Sequence, residues 1–230
     1  METSLHRSGM NELIDSLAGW LADQGINDTY VGGNMALYYC TAQLKKNDFI
    51  GPDVFVARPT STRPRKSWVV WEETITPCVV IELISENTEE TDRTDKMRIY
   101  AQSLKVAEHF LFDPVDGRLE GYRLSPRAPA YFVIPPDPLS EEPLLDCEQL
   151  HLRLGVRWDD SPHGEIPHLR WMTPTGEWIP TPIERAALDR QRAEAADREK
   201  TEAQRQTAEA QAHAERLAAQ LRALGIDPTP

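Results

Sequence analysis

The chain has 230 residues, enough for one domain with a sizeable core and an appendage. Hydrophobic residues make up 40% and charged residues 27%, no apolar run approaches a membrane span, and the opening Met-Glu-Thr-Ser-Leu-His-Arg lacks a signal peptide's apolar core, so the expectation is a soluble, cytoplasmic protein. A net charge of −12 argues against gripping nucleic acid by bulk electrostatics alone, and the scattered Cys40, Cys78 and Cys147 form neither a disulfide framework nor a thiolate metal cluster.

Leu13, Leu17, Trp20 and Leu21 recur at helical spacing and predict an amphipathic helix over residues 10–24. Residues 30–40 and 49–57 read as strands. The connection that follows, Arg-Pro-Thr-Ser-Thr-Arg-Pro-Arg-Lys-Ser, carries too much proline for regular structure. It holds the one basic cluster, Arg58, Arg63, Arg65 and Lys66, which reads either as a nucleic-acid contact through phosphate or as a solvated loop.

Two acids stand where acids are costly. Asp53 lies in Gly51-Pro52-Asp53-Val54-Phe55-Val56-Ala57, and Glu82 interrupts Cys78-Val79-Val80-Ile81-Glu82-Leu83-Ile84-Ser85, a run that reads as a strand buried on both faces. A carboxylate in such a place needs a hydrogen-bonded partner or a cation. Taken singly, Asp53 could be a turn aspartate and Glu82 half of a buried ion pair. Together with Lys96 they point to a divalent-metal site, because a hard cation such as Mg²⁺ accepts oxygen ligands and keeps several waters.

Asn87 and Glu90 have the form of a capping box for a helix running to about Ser103, with a start nearer Thr91 as the alternative. Asp92, Lys96 and Tyr100 fall at i, i+4 and i+8, on one side of it. Asp92 reads as a charge favoured by the helix macrodipole, Tyr100 as a core residue with its hydroxyl at the site rim, and Ser85 as the strand's end with a lesser claim to the rim. The acids Glu86, Glu89, Glu90, Asp92 and Asp95 crowd this approach.

Residues 106–113 read as another strand, with His109 packed inside it, Asp116-Gly117 as a turn and residues 119–124 as the partner of a hairpin. Residues 125–182 are proline-rich, with 131–134 and 150–154 as short strands and His163 and His168 as surface histidines. No Gly-rich phosphate loop and no Gly-x-Ser-x-Gly elbow is present. From Ile183 to about Leu224 the composition turns to Ala, Glu, Arg and Gln, with eight acids against eight bases. That is a long helix stopped by Gly225 and Pro228. Leu188, Leu217, Leu221 and Leu224 are its only large aliphatics after Ile183. It is either a solvated single helix or a coiled coil that brings a homo-oligomer or a protein partner. The expected organisation is a domain over 1–182, the helix over 183–224 and a short tail over 225–230.

In order, Pro52-Asp53-Val54-Phe55-Val56, Val79-Val80-Ile81-Glu82-Leu83-Ile84-Ser85, Asp92-x-x-x-Lys96-x-x-x-Tyr100 and Val106-x-Glu108-His109-Phe110-Leu111-Phe112-Asp113-Pro114 resemble the Uma-two-type restriction endonucleases of the PD-(D/E)XK nuclease superfamily. The resemblance spans roughly residues 10–180. It implies an α/β, restriction endonuclease-like core, a mixed sheet flanked by helices, here with the long C-terminal helix added. It also implies a Mg²⁺- or Mn²⁺-dependent endonuclease acting on nucleic acid, DNA first, with Asp53, Glu82 and the Leu83 carbonyl as metal ligands. The superfamily's usual lysine position is occupied by Ile84, so the lysine's role passes to Lys96. Glu86 and His109-Phe110 depart from the family's usual proline and aromatic pair. The alternative is a catalytically inert nuclease-fold binding module whose C-terminal helix recruits partners.

Overall fold

A computed structural model describes residues 4–42, 49–85, 88–161 and 164–224. The expectations placed on Glu86, Asn87, His163, Gly225 and Pro228, the capping box among them, lie outside these residues. The chain divides into two units, Met1–Pro182 and Ile183–Pro230.

The first unit opens with helix α1, Ser4–Asp23, which starts six residues earlier than the leucine spacing predicts. It is built on a six-stranded sheet of order β1-β3-β5-β6-β7-β8. The strands are β1 (Tyr30–Gly32), β3 (Val54–Ala57), β5 (Val79–Leu83), β6 (Glu108–Phe112), β7 (Leu119–Leu124) and β8 (Tyr131–Val133). Only β5 and β6 run parallel, and residues 89–104 form the crossover helix α3 that a parallel pair requires. The remaining neighbours are antiparallel, which makes the sheet mixed.

Side chains alternate across a strand, and this decides what each face packs on. Val54 and Val56 of β3, with Val79, Ile81 and Leu83 of β5, join Leu13, Leu17 and Leu21 of α1 in one core. Phe55, Ala57 and Val80 point the other way, toward Tyr100 and Leu104 of α3 and toward Trp68. Glu82 shares the parity of Val80 and therefore faces α3.

Residues 30–40 are not one strand. β1 ends at Gly32, and Leu37–Tyr38 (β2) pairs in parallel with Trp68–Val69 (β4) as a separate two-stranded sheet. The break has a steric cause: a Cβ on Gly33 would lie 1.9 Å from the Asp53 carbonyl oxygen, so only glycine lets the chain cross there. The strand read over 49–57 shortens to β3, with Ile50 bridging Leu37 instead. A short helix α2, Val70–Glu73, leads on from β4.

Residues 125–182 hold more structure than the prolines indicate. Leu144–Cys147 (β9), Leu152–Ser161 (β10) and Gly164–Met172 (β11) form a second antiparallel sheet of order β11-β10-β9. Pro167 is tolerated because β11 is an edge strand. Trp171 ties this sheet to α1 by donating its indole N–H to the Leu13 carbonyl at 3.0 Å. The first unit is thus a mixed sheet flanked by helices, the restriction endonuclease-like α/β architecture.

Described by itself, the second unit is the helix α4, Pro182–Ala223, with proline at its first position and no buried residue. Among the described residues, no helix is long and apolar enough to cross a membrane.

Candidate active site

Asp53 immediately precedes β3, and Val54 is in register with Ile81 of β5. That register sets Asp53 beside Glu82, and the Asp53 N–H reaches Glu82 Oε2 at 3.3 Å. The Leu83 N–H donates to Asp53 Oδ2 at 2.7 Å, so Leu83 meets the pair through its N–H. Asp53 Oδ1 lies 3.0 Å from Nε2 of His6, on the first turns of α1. His6 was not among the expected site residues. The helix stripe extended backwards finds it: positions 6, 10, 13 and 17 share one face, and all four are buried.

Helix α3 supplies the other side. It alternates α and π turns: Glu89–Thr91, the π turn Asp92–Lys96, Met97–Ile99 and the π turn Tyr100–Leu104. An α turn of about 3.6 residues carries position i+4 past the starting azimuth, whereas the wider π turn brings it short. One of each cancels the drift, which keeps Asp92, Lys96 and Tyr100 in line over Glu82. Lys96 Nζ donates to Glu82 Oε2 at 2.9 Å and to the Gly51 carbonyl at 3.3 Å, and sits 2.9 Å from Asp92 Oδ1. The Tyr100 hydroxyl donates to Glu82 Oε1 at 2.6 Å.

Asp92 thereby departs from the macrodipole reading. Its side chain is 1% exposed, paired with Lys96 through Oδ1, and its Oδ2 accepts no hydrogen bond. Ser85 belongs to the turn into α3: its hydroxyl is 3.0 Å from that of Thr88, and its carbonyl accepts the Glu89 N–H.

Burial pushes the Glu82 carboxyl up; Asp53 and Asp92 add to that push, and Lys96 and Tyr100 only partly offset it. Burial also opposes the Lys96 charge, but Glu82 and Asp92 together hold its ammonium above the usual lysine range. Burial next to Glu82 holds the Tyr100 hydroxyl protonated, well above the ordinary tyrosine range. Glu82 and Asp92 thus share one ammonium, with the Asp53 carboxylate beside them, an arrangement short of positive charge. A cation would relieve it.

Among the described residues, no group of three or more His, Cys, Asp or Glu side chains is arranged to hold a metal ion by itself. Asp53 and Glu82 could contribute one carboxylate each to a hard cation that keeps waters in its remaining positions. The unpartnered Asp92 oxygen beside them fits a site that attracts positive charge.

The basic cluster is largely spent on the fold. The Arg65 side chain is 2% exposed and bonds to Glu73 at 2.8 Å, with its guanidinium 4.7 Å from the ring centroids of both Tyr30 and Trp68. Arg65 therefore holds the loop and is withdrawn from any phosphate. Arg63 also binds Glu73, at 2.7 Å, but keeps most of its surface in solvent. Arg58 reaches the Gln149 carbonyl at 3.4 Å, and Lys66 is exposed.

Two further acids of the approach are paired as well. Glu89 binds Arg93 at 2.8 Å and Arg118 at 3.2 Å, and Asp95 binds Arg98 at 3.1 Å. His168 is half-buried on Glu12 at 3.1 Å. A cavity of about 540 Å³ opens beside α1 and β1, lined by Ala18, Leu21, Ile26, Tyr30 and Thr62 among others, and includes none of the residues around Glu82.

Comparison with known proteins places a family over this geometry. The Uma2 family, described as "Putative restriction endonuclease", matches residues 1–154, two thirds of the chain and all of the residues around Glu82. No curated protein matches the sequence.

Proposed function

The chain belongs to the Uma2 family, and from that membership we propose that it is a Mg²⁺- or Mn²⁺-dependent endonuclease that hydrolyses phosphodiester bonds of DNA. The observation that carries this reading is the pair of the partly exposed Asp53 and the buried Glu82, tied by a backbone hydrogen bond, with the ammonium of Lys96 on Glu82.

Bound there, a divalent ion supplies stabilisation of charge on the phosphoryl oxygens and activation of water. Asp53 and Glu82 hold it. The Leu83 N–H and His6 fix the orientation of Asp53, and the Tyr100 hydroxyl fixes that of Glu82. Lys96 keeps its proton, so it serves as a donor, not as a base. It orients the attacking water and offsets the negative charge that grows on the phosphate. The Leu83 carbonyl is assigned the role of an additional oxygen ligand.

A second reading has one observation in its favour. Both Glu82 oxygens already accept hydrogen bonds, from Lys96 and from Tyr100, as a purely structural ion pair would require. On that reading the fold is an inert binding module, and α4 recruits a partner.

The test is incubation of the purified protein with single- and double-stranded DNA and RNA in Mg²⁺ or Mn²⁺, beside Asp53→Ala, Glu82→Ala and Lys96→Ala. The expected result is metal-dependent cleavage of DNA that falls by ~100-fold or more in each variant. Cleavage unchanged in all three variants contradicts the site assignment. Absence of cleavage together with absence of metal binding favours the binding module.

A further inference from the structure

We propose that Asp92 is a positioning residue that keeps the Lys96 ammonium in place once a cation engages Glu82. This rests on the reading of Asp53 and Glu82 as cation ligands.

An ammonium has three N–H donors. Around Lys96 Nζ stand three acceptors: Glu82 Oε2 at 2.9 Å, Asp92 Oδ1 at 2.9 Å and the Gly51 carbonyl at 3.3 Å. While Glu82 is free, two of the donors are hydrogen-bonded, to Glu82 and to the Gly51 carbonyl, and Asp92 Oδ1 stands at ion-pair distance. A carboxylate oxygen that ligates a cation is a poorer partner for a neighbouring ammonium, and the two positive charges repel. If Glu82 were the only anchor, Lys96 would be expelled toward solvent at the moment its position matters.

Asp92 prevents that. It lies on the same π turn as Lys96, its side chain is 1% exposed, and neither of its oxygens has a hydrogen-bond partner, Oδ1 meeting Lys96 as an ion pair. A buried carboxylate oxygen without a partner is costly, so this acid is retained at the expense of stability. Its charge is balanced by Lys96 alone among the contacts it makes, whereas Glu82 has Tyr100 as well. With Glu82 engaged, Asp92 and the Gly51 carbonyl hold two of the three donors. The third donor would then be free for a water or a phosphate oxygen. Asp92 touches neither; it acts through Lys96.

The experiment compares full-length wild type with Asp92→Asn, which keeps shape and removes charge, and with Asp92→Glu. The ¹⁵Nζ resonance of Lys96 and the side-chain carboxyl resonance of Glu82 are followed by NMR as Mg²⁺ is added without nucleic acid. Without Mg²⁺ the Lys96 signal is expected in wild type and in Asp92→Asn alike, because Glu82 holds it. With Mg²⁺ it persists in wild type and is lost to exchange in Asp92→Asn. Turnover with Mg²⁺ and DNA then drops ~100-fold in kcat in Asp92→Asn, with KM and Mg²⁺ affinity nearly unchanged and partial recovery in Asp92→Glu. A Lys96 signal that survives Mg²⁺ in Asp92→Asn overturns the proposal, as does a parallel loss of Mg²⁺ affinity and kcat, which would make Asp92 a ligand. A Glu82 resonance that does not move with Mg²⁺ in wild type overturns the cation reading itself, and the role of Asp92 with it.

Discussion

His109 lies fully buried between the rings of Tyr100, Tyr122 and Tyr131, and neither of its ring nitrogens has a hydrogen-bond partner. Burial and the nearby Lys96 push its imidazole down to about 3. The unfolded chain takes up this proton near pH ~6.5, whereas the folded chain refuses it until much lower. The stability tied to the neutral ring is therefore present above pH ~6.5 and lost as pH falls toward 3. Urea melts at pH 7 and pH 5 should show this: His109→Phe should lose about 2 kcal/mol less than wild type over that interval. Equal losses would mean that another group titrates there. Residue by residue, the sequence discloses the acids and Lys96 because a charge inside an apolar strand, or one helical turn from it, must be explained. His6 escapes because nothing in its own neighbourhood is costly. It is identified only when the α1 stripe is followed back beyond Met10.

Helix α3 and the loop before β4 show where spacing misleads and where it serves. Periods of four carry Asp92, Lys96 and Tyr100 to one side, but their close alignment over Glu82 depends on the π turns. The local sequence does not announce those. In the loop, four basic residues in a proline-rich stretch look like a solvated patch. Of the two aromatic rings that take Arg65, Trp68 of β4 lies only three residues on, but Tyr30 comes from β1, which is distant in sequence. Arg65→Ala removes a nearly buried charge and leaves Glu73 with Arg63 alone, so it should lower stability by ~3 kcal/mol in denaturant melts. Lys66→Ala, at an exposed position, should fall within ~0.5 kcal/mol of wild type. Equal effects for the two would contradict the division of labour within the cluster. The second sheet is legible only in part: residues 150–154 read as a short strand, whereas the alternation of Leu152, Leu154 and Val156 with Arg153, Gly155 and Arg157 carries β10 on to Ser161.

At the scale of the molecule, the acidity belongs to the body, since α4 balances its charges. The contrast in composition at Pro182 made the long helix readable, whereas its partners cannot be read from an alanine-rich face. Deleting residues 183–230 should leave 1–182 with a cooperative thermal transition. A broad, non-cooperative melt in that truncation would show that the helix completes the domain. The proposed cation-dependent hydrolytic centre consists of the buried Glu82, the partly exposed Asp53 and Lys96. Calorimetric titration of Mn²⁺ into the full-length protein and into Glu82→Gln tests it most directly. Saturable binding in wild type, weakened ~10-fold or more by Glu82→Gln, is the predicted result. Equal binding in both proteins, or none in wild type, would contradict it.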